Sequence, residues 1–153
     1  MQEMKLEKEE VRRALEEAVL EVLETMCFEF PIAEPEAGGA PAEEAVQAVA
    51  RFEGSLQGKL HVALTGEAAR RLAASFLGLE EDGVGEQEVL LMASELANML
   101  CGATLSRLEP HGRLRIAPPE TGRGPAPCAG DCWLWFPLEQ GEVAATLACE
   151  VAP

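Results

Sequence analysis

The stretch VQAVARFEGSLQGKLHVAL, residues 46–64, changes character at every second position. Val46, Ala48, Ala50 and Phe52 fall on one side, with Gln47, Val49, Arg51 and Glu53 between them. Leu60, Val62 and Leu64 repeat the pattern after Gly54-Ser-Leu-Gln-Gly58. Successive side chains of a strand point to opposite faces, so this period predicts two half-buried strands, and the Gly-bounded break joins them as a hairpin. A sheet packed through one face needs a second layer to cover it, and the flanking sequence supplies helices.

Upstream, Val11, Leu15, Ala18, Val22 and Met26, with Val19 and Leu23 beside them, have helical spacing, while Glu and Arg fill the other side. Residues 1–10 are mostly charged and read as an N-terminal extension, leaving 11–153 as one domain. Between Pro31 and Glu44, PIAEPEAGGAPAEE combines prolines with a Gly pair and predicts a loop. Downstream, Ala69, Leu72, Ala73 and Phe76 predict a helix over Gly66 to Leu77 that Gly78 ends. The loop LEEDGVG leads to a third helix, Glu86 to Leu108, closed by Pro110. Leu114 and Ile116, the segment CWLWFPL at 132–138, and Val143 to Val151 then read as three strands, the first two separated by the loop PPETGRGPAPCAGD. The order α-β-β-α-α-β-β-β predicts an α+β fold with a largely antiparallel sheet packed with helices.

The chain has 153 residues, is 48% hydrophobic and carries a formal net charge of −15. Such acidity argues against nucleic acid, whose binders gather Lys and Arg to displace condensed counterions. Apolar runs such as Val89 to Ala93 fall far short of the roughly 20 residues that span a bilayer, and the charged N-terminus lacks the apolar core of an export signal. The expectation is a soluble cytoplasmic protein with no membrane partner. Five cysteines without an export signal point to reduced thiols. Cys27, Cys101 and Cys149 lie in apolar segments and should pack as small hydrophobes. Cys128 and Cys132 form a C-x3-C pair in a Pro/Gly loop, but with no second pair and only His61 and His111 elsewhere, a metal site is not expected.

The third helix carries the candidate chemistry. At 100° per residue, Val89, Met92, Leu96, Met99, Leu100 and Ala103 cluster on a side centred near Leu96, which should face the core. Glu95 then lies at the boundary of the opposite side and Asn98 nearly diametrically opposite the core stripe. They share that surface with Leu91, Gly102 and Ser106. A large apolar residue is not needed on a solvated face, and glycine costs a helix about 1 kcal/mol relative to alanine, so a closely approaching partner would account for both. Spacing alone leaves open that Glu95 and Asn98 are ordinary solvated polar residues.

The stretch Ser94-Glu-Leu-Ala-Asn-Met-Leu-Cys-Gly102 resembles the signature helix of the CheC/CheX/FliY phosphatases, which present a Glu and an Asn at E-x-x-N on an exposed face. Leu20-Glu-Val-Leu-Glu-Thr-Met26 is similar to that family's opening helix, and Phe52 to Leu64 to its first hairpin; the resemblance runs from about Val11 to Val151. CheC-type members carry two such motifs and CheX-type members one. The opening helix here offers Glu17-x-x-Leu20, Glu21-x-x-Glu24 and Glu24-x-x-Cys27, none ending in Asn, so the chain resembles the CheX type. It departs from the family at Leu91, where Asp or Ser often precedes the Glu by four residues.

The resemblance implies a phosphatase acting on the aspartyl-phosphate of a CheY-like response regulator, in chemotaxis or another two-component pathway. Glu95 would pair with a Lys of the regulator's active site, and Asn98 would position the attacking water. Leu91, Ser94 and Gly102 would contact the docked partner. No cofactor of the chain's own is implied, the Mg²⁺ being supplied by the partner receiver domain, and the family's habit implies a homodimer. Two other readings compete: a non-catalytic CheX-like module that binds a receiver domain or another signalling protein, and an unrelated α+β domain in which E-x-x-N is accidental.

Overall fold

The computed structural model describes residues 7–41, 44–123 and 133–151. In chain order these form α1 (Lys8–Cys27), β1 (Glu36–Gly38), β2 (Val46–Gly54), β3 (Leu56–Leu64), α2 (Gly66–Leu77), a single 3-10 turn (Glu81–Gly83), α3 (Glu86–Leu108), β4 (Leu114–Ile116), β5 (Glu120–Arg123), β6 (Trp133–Pro137) and β7 (Glu142–Val151). The fold is α+β. One sheet has the order β1-β6-β7-β3-β2-β4, with β5 also paired to β2, and each of these pairings is antiparallel.

The alternation that predicts the hairpin also builds the core. Val46, Ala48, Ala50 and Phe52 of β2 and Leu60, Val62 and Leu64 of β3 are buried against the helices, joined by Leu134, Phe136, Val143 and Ala145. Two glycines let the sheet close at the end of the hairpin. Gly54 and Gly58 have φ of 142° and 157°, and a Cβ on them would collide with the carbonyls of Arg113 and Ala148. The other face of the sheet is covered too: Gln47, His61, Ala63, Trp133, Ala144 and Thr146 are all buried. Part of the cover is the Trp135 indole, which packs with Ala45, Ala63, Trp133 and Ala144, lies against Gly38 of β1 and donates to the Gly39 carbonyl at 2.9 Å. Gly38, the first of the Gly pair read as a loop breaker, therefore makes room for an aromatic ring.

Two strands and the 3-10 turn escape the order expected from sequence. β1 falls within the Pro-rich loop and β5 within PPETGRGPAPCAGD. Both are short edge strands with mostly exposed side chains, so neither carries the apolar alternation by which a half-buried strand is recognised. The C-x3-C pair, Cys128 and Cys132, lies outside the described residues.

By length and composition α3 could cross a membrane, but it is the central helix of the fold, packed on β2 and β3 with α1 and α2 beside it. Cys27 and Cys101 are buried in this layer, as their apolar surroundings predict, and Cys149 is half-buried. Burial pushes the Cys101 thiol up to about 12; burial, and then the nearby Glu29 carboxylate, push Cys27 up to about 11. Both thiols stay protonated in the folded protein where an unfolded chain would begin to ionise. The stability they contribute is therefore intact below the ordinary thiol value of 9.0 and is lost as pH climbs from there toward 11 and 12. At pH 8 a thiol reagent should label neither until denaturant opens the core, which mass mapping of the modified cysteines would check.

Candidate active site

Three neighbours bury α3 on most of its circumference. Val89, Met92, Ala93, Leu96, Ala97, Leu100, Cys101, Thr104 and Leu105 are buried, while Met99 and Ala103 are only partly so and rest against the core edge. The buried face is thus centred nearer Ala93, Ala97 and Thr104 than Leu96. The sequence reading misplaces that centre because it weights large side chains, whereas small ones at these positions let the neighbouring elements approach closely. What remains is one narrow exposed strip.

Along that strip stand Leu91 (52% exposed), Glu95, Asn98 and Ser106, with Ser94 and Gly102 half-buried at its margins. Glu95 and Asn98, three residues apart, project from adjacent turns of one helix face. Neither is committed to a hydrogen bond or ion pair among the described residues. A Cβ on Gly102 would meet nothing within 4 Å, so no contact among the described residues requires glycine there.

The helix that presents this pair is clamped at both ends. At its start, Gly85 N–H donates to Glu88 Oε1 at 2.9 Å, and the Arg123 guanidinium forms a two-pronged bond with Glu86 at 2.7 and 2.8 Å, tying α3 to β5. Near its end, Arg107 donates to the Ala103 carbonyl and bridges to Glu17 and Glu21 of α1. Sequence reasoning misses these anchors: the Arg123–Glu86 and Arg107–Glu21 bonds join residues far apart in the chain, and no local pattern marks them. A rigid helix fixes the spacing of two side chains more precisely than a loop could.

A free acid and a free carboxamide on a fixed, exposed face can engage a partner's cation and hold a water, without a cavity in the chain itself. A sequence model described as chemotaxis phosphatase CheX matches residues 46–127, more than half of the chain and a span that includes α3 entire. The chain belongs to the CheX family. Solved structures agree at the level of fold. A CheX from Desulfovibrio desulfuricans subsp. is 22% identical, with 92% of this chain and 99% of that one covered at a TM-score of 0.74. CheX from Vibrio vulnificus is 18% identical over 95% and 100%, with a TM-score of 0.73. The complex of CheX with CheY, BeF3 and Mg from Borrelia burgdorferi gives 19% identity over 92% and 98%, with a TM-score of 0.68. A search of curated proteins finds no match.

Proposed function

We propose that the chain hydrolyses the aspartyl-phosphate of a CheY-like response regulator in the cytoplasm, with Glu95 as the docking acid and Asn98 as the group that holds the attacking water. The observation that carries this reading is the pair itself: both side chains are exposed, uncommitted among the described residues, and set on the open strip of a helix held at both ends. Membership of a family described as a chemotaxis phosphatase, and a fold shared with a CheX that binds CheY, support it.

An acyl phosphate is already reactive, and phosphoryl transfer passes through a loose transition state in which catalysis is mainly positioning and charge stabilisation. A carboxamide suits the task. Asn98 can accept from and donate to a water in line with phosphorus without setting a full negative charge against the phosphoryl oxygens. Glu95 makes a charge-assisted pair with the regulator's Lys and so fixes the register. The Mg²⁺ belongs to the receiver, where with that Lys it offsets part of the repulsion between two acidic surfaces. The chain acts as a homodimer joined through an exposed sheet edge.

Phosphate release from phosphorylated receiver domains of the same cell tests the reading: one of them should lose phosphate faster in the presence of this chain, and acceleration of none would overturn it. Leu91, Ser94 and Gly102 frame the docked partner. Gly102→Ala should raise resistance to urea by about 1 kcal/mol, since alanine favours helix and has room. The same change should raise the apparent KM, because the partner loses its close approach to the backbone.

A further inference from the structure

Away from the α3 strip, large apolar side chains stand in solvent where α1 ends: Met26 is 41% exposed, Phe28 74%, Phe30 62% and Ile32 63%. Single exposed apolar residues are ordinary on any protein surface, but four at alternate positions of one segment are not. The segment is held in place. Glu29 N–H donates to the Leu23 carbonyl at 2.9 Å, Ile32 N–H donates to the Pro137 carbonyl at 2.9 Å, and the buried Glu29 carboxylate accepts from Arg71 Nε at 2.6 Å. Phe28 closes the helix in the left-handed region, with φ 56° and ψ 36°. Glycine is the usual residue there, because a side chain in that conformation is strained. Phe28 accepts the strain while remaining 74% exposed, and nothing among the described residues explains the choice.

The charges around the segment say what it can receive. Glu24, Glu34 and Glu36 are exposed on either side of it in sequence. The Arg71 guanidinium, bonded to Glu29, is held charged first by that hydrogen bond and further by the fields of Glu81 and Glu139. An anionic lipid surface would be repelled by this rim, and a second copy of the chain would bring the same acids against it. Complementarity favours a partner of the opposite sign.

We infer that the surface formed by Phe28, Phe30 and Ile32 receives a basic, apolar segment of another protein, its large side chains covering the rings and its Lys or Arg side chains meeting the acidic rim. This surface is separate from Glu95 and Asn98, and its occupancy does not depend on phosphatase activity.

Fluorescence anisotropy with a labelled amphipathic peptide of Lys, Leu and one Trp, beside a counterpart with Glu for Lys, tests the inference. The basic peptide should bind, more weakly as salt rises, and the acidic one should not. Phe28→Gly and Phe30→Ser should each weaken binding at least tenfold. Phe28→Gly should also resist urea at least as well as the native chain, since it relieves the left-handed strain, so its loss of binding cannot be a loss of fold. Glu81→Lys with Glu139→Lys should weaken binding through the rim alone. Undiminished binding by these variants, or equal binding of the acidic peptide, overturns the inference. Sedimentation that turns from dimer to monomer with Phe28→Gly would assign the surface to a second copy. Flotation of the native chain with phosphatidylcholine/phosphatidylglycerol vesicles, lost in Phe30→Ser, would assign it to a membrane.

Discussion

Asn98→Ala should lower the accelerated dephosphorylation of the receiver at least tenfold while leaving most of the affinity for a phosphate-mimicking receiver in place. Losing about 1.4 kcal/mol of transition-state stabilisation is enough for a tenfold fall. An interaction realised only in the transition state lowers turnover without lowering ground-state binding, and holding a water in line is such an interaction. Glu95→Ala should behave differently, weakening binding and turnover together, because the proposed charged pair with the receiver's Lys would form on docking. Neither change should disturb the fold: both side chains are exposed, and surface substitutions of this kind usually stay within about 0.5 kcal/mol. Urea unfolding of each variant beside its kinetics would separate the two roles from a structural one.

Leu96→Ala should have the largest effect on stability, about 2–5 kcal/mol in urea unfolding. Leu96 is 1% exposed at the centre of α3, where truncation leaves a cavity that the sheet and two helices can close only in part. Domains of this size are stable by only about 5–15 kcal/mol, so the loss is a large share of the whole. The contrast with its neighbours is informative. Leu96 lies between Glu95 and Asn98 in sequence yet answers to the core, and its truncation should lower activity chiefly through the fraction of chain that remains folded.

The elements with strong periodicity were readable from sequence alone. α2 and α3 have the predicted limits, Gly66–Leu77 and Glu86–Leu108, because apolar residues at helical spacing coincide with stop signals at Gly78 and Pro110. β2 and β3 were readable for the same reason at a period of two. α1 begins at Lys8, and its face turns slightly from the predicted one: Ala14 is buried, while Met26 is exposed. β1 and β5 were not readable, since an edge strand with exposed side chains is defined by backbone pairing that arrives from distant sequence. Nor was the sheet order, in which β7 lies between β3 and β6. Within the candidate site, the exposure of Glu95, Asn98 and Leu91 followed from angle alone. What angle could not give is the extent of the open strip, because small buried residues such as Ala93 and Ala97 carry little weight in an amphipathic pattern.

The lifetime of the phosphoryl group on a receiver from the same cell bears most directly on the proposed activity. It is followed as acyl-phosphate decay at fixed Mg²⁺ and ionic strength, with binding measured on the same receiver. The native chain should shorten that lifetime at catalytic concentrations, and Asn98→Ala should leave it close to the receiver's own value. A native chain that binds the receiver and leaves the lifetime unchanged would contradict the enzyme reading and leave a binding module in its place.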